Sequence, residues 1–167
     1  MLRFFWVSFG LFFLQVFIFN GLEFSSAVYI MIYPLWVFIL PFDLKPSFLF
    51  LYCFLFGFLI DFFCNGFGLH SSACISAGAA RVFIFYFLSP REGYEPLSSP
   101  SIKKLGLNWV LITFSFILFV HHFWFFTIEF FNIGAFATII KNTFFSFLCS
   151  FLVCCCFYVL FLLKTNK

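Results

Sequence analysis

The chain has 167 residues, of which 65% are hydrophobic and 9% charged; its formal net charge is +3 and its mean hydropathy +1.15. A soluble domain carries about 25% charged residues, and a chain of this length has too little interior to bury so much apolar surface. The composition excludes a soluble globular protein and predicts an all-α polytopic membrane protein with a single domain over residues 1–167.

The first apolar run covers about residues 4–19 and predicts a membrane helix, because about 20 residues are needed to cross roughly 30 Å of hydrocarbon. A signal peptide that starts at the basic Arg3 is the alternative, but no cleavage site of small residues precedes Glu23, so an uncleaved helix is favoured. Gln15 interrupts this run. An amide in hydrocarbon is expected to hydrogen-bond to another helix.

The second and third apolar runs predict helices over about residues 27–40 and 47–63. Pro34 falls inside the second run and is expected to kink that helix, which neighbouring helices tolerate in a membrane bundle. Residues 42–45 predict a short polar turn between the two helices. Pro46 then suits the first turn of the third helix.

The third run ends in a block that holds most of the unusual chemistry of the chain. Gly57 and Asp61 are four residues apart and therefore share one helix face, where a neighbouring backbone can approach the carboxylate closely. Gly66, Gly68 and His70 follow in a turn signal. A carboxylate costs about 2.5–3.5 kcal/mol at the centre of a membrane helix and less near its end, so Asp61 needs donors.

Two roles are open for Asp61. A structural carboxylate paired with Gln15, His70 or turn amides is favoured. A proton or ion relay is the alternative, but such a relay usually needs several acidic groups at membrane depth, and only Glu129 lies close to another span.

The fourth run predicts a helix over about residues 69–88. Its first half is rich in Ser, Ala and Gly, which permit close packing of membrane helices, so this helix is expected to be central in the bundle. Arg81 ends the small-residue stretch. The fifth and sixth runs predict helices over about residues 107–131 and 143–163.

Residues 89–106 form the longest polar segment and are predicted to be a loop. Arg91, Lys103 and Lys104 lie in it, but three basic residues are too few for a lipid-recognition cluster, so an orientation signal and linker is favoured. The alternative is that Tyr94 and nearby prolines present a stiffened strip to a cytoplasmic partner.

With six spans and a cytoplasmic amino terminus, most of the basic residues fall on the cytoplasmic side, and cytoplasmic loops are those that carry the excess of Lys and Arg. Lys141 is the one basic residue predicted on the outer side, and Arg81 lies within the predicted fourth helix. Both termini are therefore predicted to be cytoplasmic. The predicted cytoplasmic side receives Arg3, Lys45, Arg91, Lys103, Lys104, Lys164 and Lys167.

The sequence offers no evident catalytic or metal chemistry. Three consecutive cysteines, residues 154–156, point in different directions on a helix and are expected to be apolar fillers. A disulfide between Cys64 and Cys74 is a minor alternative. His121 and His122 are adjacent and expected to hydrogen-bond inside the bundle. No nucleophile–base pair, phosphate-binding glycine loop or nucleic-acid-binding stripe is present, which predicts a non-enzymatic protein without cofactor or metal.

These features together resemble the rod shape-determining protein family MreD. The resemblance extends along essentially the whole chain, and its most specific part is the block from Asp61 to His70. The residues that carry it are Gln15, Gly57, Asp61, Gly66, Gly68, Leu69, His70, Arg81 and the loop segment 89–96.

The resemblance implies a multi-pass protein of the bacterial inner membrane that acts as a scaffold in the cell-elongation machinery. Its implied partners are the lipid bilayer, an MreC-like bitopic protein, an MreB-like filament and the pair formed by RodA and its transpeptidase; no nucleic acid is implied. The family is also similar to the substrate-binding subunits of energy-coupling-factor vitamin transporters, which are small six-helix proteins. A vitamin-importer subunit, or another small channel or transporter, is therefore the alternative function.

Overall fold

The computed structural model describes residues 2–20, 28–95 and 98–162, and these form helices, turns and irregular segments without a β-strand. The prediction of an all-α protein is confirmed for this part of the chain. The helices are α1 (Leu2–Phe13, continued by a π-helical turn Leu14–Phe19), α2 (Pro34–Ile39), α3 (Pro46–Cys64), α4 (Leu69–Phe87), α5 (Ile102–Leu105), α6 (Leu107–Phe130) and α7 (Phe136–Phe157, continued by a π-helical turn Tyr158–Leu162).

Within the described ranges, three helical stretches are long and apolar enough to cross a membrane: Pro46–Cys64, Leu107–Phe130 and Phe136–Leu160. The first two agree with the predicted helices to within one residue at each end. The third begins seven residues earlier than the predicted start at Thr143. Lys141 did not end the helix because its side chain is exposed, and a single exposed polar residue leaves the backbone hydrogen bonds of a helix intact.

The predicted second helix is wrong over half its length. Residues 28–32 have no regular secondary structure, Tyr33 lies in a turn, and α2 has only six residues; residues 28–33 are called segment 28–33 below. Pro34 does not kink a helix but begins one, at the first helical position, where its missing N–H has no intrahelical partner in any case. Ala27, the predicted first residue of that helix, lies outside the described residues.

Helix α4 lies at the centre of the described bundle, with α3, α6 and α2 packed against it, and α7 packs against α6. Its buried positions are mostly small, among them Ala73, Ala77 and Gly78, so neighbouring helices approach its backbone closely. Helices α3 and α4 form an antiparallel hairpin whose turn contains Asn65 in the left-handed conformation, with φ of 53°.

The bundle has two distinct ends. One, the turn end, contains residues 65–68 and 131–135; the other, the loop end, contains residues 40–45, 88–95 and 98–106. Segment 89–106 was predicted to be a loop, but its described residues include the one-turn helix α5 and contact the bundle. The Phe42 N–H donates to the Ser98 carbonyl oxygen at 3.0 Å, and Pro100 is buried.

Candidate functional site

The Asp61 carboxylate caps the amino-terminal end of α4. Its Oδ1 accepts the His70 N–H at 2.9 Å, and its Oδ2 accepts the Ser71 N–H at 2.8 Å and the Ser71 hydroxyl at 2.5 Å. The first turn of a helix leaves its N–H groups without intrahelical partners and carries a partial positive charge, which favours a nearby anion. The cap comes from α3, so it also fastens the two helices to each other.

Two glycines make this approach possible. A Cβ at Gly57 would lie 2.5 Å from the Ser71 Cα and 2.7 Å from the His70 carbonyl oxygen. A Cβ at Gly66 would lie 2.2 Å from the Asp61 Oδ1. Gly68, which precedes α4, has φ of 92°, a left-handed conformation that glycine adopts at no steric cost.

Segment 28–33, which is not helical, obtains hydrogen bonds from side chains of other helices. The Gln15 side chain accepts the Ile32 N–H at 2.8 Å and donates to the Ile30 carbonyl oxygen at 3.2 Å. The Ser146 and Ser150 hydroxyls accept N–H groups of Tyr29 and Met31 at 3.0 and 2.9 Å. Non-helical backbone at membrane depth is tolerated only where protein surrounds it and replaces the helical hydrogen bonds.

Tyr33, at the end of this segment, joins two histidines in the bundle interior. Its hydroxyl lies 2.9 Å from His70 Nδ1 and 2.7 Å from His121 Nε2. A hydroxyl has one proton, so it donates to one ring and accepts an N–H from the other. His121 and His122 are both buried, and His122 Nε2 lies 3.0 Å from the Ser150 hydroxyl.

Arg81 binds backbone carbonyl oxygens near the loop end, whereas Asp61 binds backbone N–H groups at the turn end. Its guanidinium Nη2 donates to the Leu40 and Pro41 carbonyl oxygens, both at 2.8 Å, and its side chain is 3% exposed. The guanidinium carbon also lies 4.6 Å from the centre of the Phe85 ring, a cation–π contact. Arg81 therefore binds the carbonyls at the carboxyl-terminal end of α2, where a cation is electrostatically favoured.

The loop residues divide between the bundle and the surface. The Tyr94 ring stacks on Phe42 at 4.2 Å, and its hydroxyl donates to the Phe85 carbonyl oxygen at 2.8 Å. Burial raises the pKa of Tyr94 to about 12. The Tyr94 side chain therefore packs against the bundle. Arg91, Lys103 and Lys104 are exposed, and Lys104 forms an ion pair with Glu95.

The structure thus uses the predicted site residues in different places. At the turn end it brings together Gly57, Asp61, Gly66 and the backbone of His70. The Gln15 side chain instead binds segment 28–33, and Arg81 lies near the opposite end of α4. Of the partners considered for Asp61, the turn amides provide its contacts together with the Ser71 hydroxyl; the Gln15 amide does not. Glu129 is exposed near the end of α6.

Sequence reasoning missed Tyr33, Ser146 and Ser150. A signal for the two serines was present: they are four residues apart on α7, and Asn142, four residues earlier, is buried on the same helix. Tyr33 gave no signal, because a tyrosine beside a proline in an apolar run is indistinguishable from a residue at the membrane interface.

The seven cysteines are free, so the Cys64–Cys74 disulfide is not formed. Among the described residues, no group of three or more His, Cys, Asp or Glu side chains is placed to hold a metal ion.

No protein-family model, no curated protein and no solved structure matches this chain.

Proposed function

We propose that this chain is a non-enzymatic scaffold subunit of a multi-protein assembly in a membrane. The observation that carries the proposal is how the interior polar groups are used. Asp61 and Arg81 bind the ends of α4 and α2, and Gln15, Ser146 and Ser150 bind the backbone of segment 28–33. Polar side chains that are bound to the protein's own backbone stabilise a fixed shape, which is what a scaffold requires.

The particular assembly we propose is the bacterial cell-elongation complex, with this chain as its subunit of the MreD type. The proposal rests on the resemblance described above, whose most specific residues, from Asp61 to His70, form the capped turn between α3 and α4. The partners would be an MreC-like protein, an MreB-like filament and the pair formed by RodA and its transpeptidase. Together they would position peptidoglycan synthesis along the cell wall.

The vitamin-importer alternative would require a pocket with convergent polar groups. A cavity between α2, α6 and the end of α7 has a volume of about 160 Å³, and aliphatic, aromatic and cysteine side chains line it. This lining does not suit a polar vitamin and favours the scaffold.

We further propose six spans, with both termini in the cytoplasm of a bacterial inner membrane. The spans would be α1 with its π-helical turn, segment 28–39, α3, α4, α6 and α7. Labelling of introduced cysteines with a membrane-impermeant maleimide tests this orientation. Phe67→Cys, at a fully exposed position of the turn end, should react in intact cells, whereas Glu92→Cys should react only after permeabilisation. The parent chain is the control for its seven native cysteines. Reaction of Glu92→Cys in intact cells would contradict the topology.

Depletion of the protein in its own cells tests the function. Rod-shaped cells should become round, and re-expression of the parent chain should restore the rods. An affinity-tagged chain should also co-purify with an MreC-like protein from detergent-solubilised membranes. Cells that keep their shape but lose uptake of a vitamin would refute the proposal and support the importer alternative.

A further inference from the structure

The 160 Å³ cavity lies at the loop end and has a buried floor and an exposed rim. Leu35, Phe38 and Cys154 form part of the floor and are buried, whereas Leu107 and Val159 at the rim are about half exposed. The cavity is therefore open to the surroundings of the bundle on one side. A site of this shape in a membrane protein is accessible to lipid.

The chemistry of the lining restricts what can fill it. Apolar cavities of roughly 150 Å³ stay free of water and admit apolar molecules about the size of benzene. An empty cavity also deprives its walls of dispersion contacts. In a bilayer, the apolar groups next to the rim are lipid acyl chains. The end of one such chain fits the volume and the lining.

The basic residues of the loop are too few to recognise a lipid by themselves, but two of them adjoin a residue that lines this apolar cavity. Ile102 lines the cavity, and the next two residues on α5, Lys103 and Lys104, are exposed. Glu95 forms an ion pair with Lys104, and the two lysines together with Glu95 have a formal charge of +1. Basic residues at the membrane surface attract anionic phospholipids.

We propose that this cavity holds the acyl chain of an anionic phospholipid whose phosphate group lies beside Lys103 and Lys104. The site is independent of the cell-elongation function and of the network around Asp61. It would fasten α5 and the ordered loop to the membrane at a fixed depth.

Photo-crosslinking tests the proposal. The full chain is reconstituted in nanodiscs of phosphatidylcholine that contain a small fraction of phosphatidylglycerol with a diazirine on its acyl chain; parallel discs contain diazirine-labelled phosphatidylcholine. Labelled peptides are mapped by mass spectrometry. Segments 102–114 and 154–159 should be labelled about fivefold more by phosphatidylglycerol than by phosphatidylcholine, the ratio expected from one basic residue near the surface. The lipid-facing surface of α3 should show no preference.

Two variants with matched controls locate the site. Cys155→Phe fills the cavity and should reduce labelling of both segments to the level seen on α3, whereas Cys156→Phe, at the neighbouring exposed position, should not. Lys103→Gln combined with Lys104→Gln should abolish the preference for phosphatidylglycerol, whereas Arg91→Gln should retain it.

Equal labelling by the two lipids, or labelling unchanged by Cys155→Phe, would overturn the proposal. The labelling would then come from the lipid that surrounds any membrane protein. The lysine variant changes exposed side chains only, so it keeps the test decisive if Cys155→Phe does not fold.

Discussion

A substitution at Gly57 tests the close contact between α3 and α4. In Gly57→Ala, the new methyl group would lie 2.5 to 2.8 Å from three backbone atoms of His70 and Ser71. Backbone cannot rotate away as a side chain can, so the two helices must separate. Overpacking of this kind costs about 1–3 kcal/mol.

Separation of the helices also weakens the Asp61 cap. The carboxylate accepts two backbone N–H groups at 2.9 and 2.8 Å, and a hydrogen bond to a charged group contributes about 1.5–3 kcal/mol. The loss of one such bond adds to the cost of overpacking. Alanine is more favourable than glycine in a helix by about 1 kcal/mol, which offsets part of this cost. The net destabilisation is about 2–5 kcal/mol.

Gly10→Ala is the matched control, because Gly10 also lies in a helix and a Cβ there would meet no atom within 4 Å. It should leave the free energy of unfolding unchanged or raise it slightly. The assay is unfolding in mixed micelles by titration with SDS, followed by far-ultraviolet circular dichroism. If Gly57→Ala is as stable as Gly10→Ala, α3 and α4 do not approach each other as described.

Three further variants test the capping, segment 28–33 and the loop, the first two by the same unfolding assay and the third by thermal unfolding. Asp61→Asn should lower the free energy of unfolding by about 1–3 kcal/mol, because its amide NH₂ cannot accept the Ser71 N–H; unchanged stability would mean that the cap contributes little. Ser150→Ala leaves the buried Met31 N–H without its acceptor and should cost about 1–3 kcal/mol, whereas Ser76→Ala, whose hydroxyl bonds only within α4, should be nearly neutral; equal effects would contradict the role of Ser150. Since burial raises the pKa of Tyr94 from 10.0 to about 12, its contribution to stability is complete below pH 10 and is lost as the pH rises toward 12. Thermal unfolding of Tyr94→Phe should lack this part of the alkaline decline, and an unchanged pH profile would contradict it.

The long helices could be predicted from the sequence because their ends coincide with turn residues. The predicted third and fifth helices differ from α3 and α6 by at most one residue at each end, since Asn65 and Gly106 border long apolar runs. The need of Asp61 for donors was also predictable, because an acidic residue in an apolar run must be compensated. Its donors in the structure include backbone N–H groups at the turn. Any sequence has such groups, so the sequence does not show which of them bind the carboxylate.

The non-helical conformation of segment 28–33 could not be predicted, and the reason is physical. Hydropathy records that these side chains are apolar but does not record where the backbone finds its hydrogen bonds. The acceptors for Tyr29 and Met31 are Ser146 and Ser150, which are 117 and 119 residues away in the sequence. Local patterns contain no trace of such a partner. The same holds for Tyr94, whose ring stacks on Phe42 in a distant turn.

The dependence of segment 28–33 on α7 has a consequence for how the protein is made. Chains are synthesised from the amino terminus at about 5–20 residues per second, so the serines that bind this segment emerge roughly 6–24 s after it does. During that interval the N–H groups of Tyr29 and Met31 need other partners, such as water in the insertion machinery or a temporary helical conformation, whereas Gln15, which binds Ile32, is already present. A ribosome that stops before Ser146 leaves a nascent chain in which segment 28–33 lacks both serine acceptors. The segment can therefore take its final hydrogen bonds only after the serines of α7 have been synthesised.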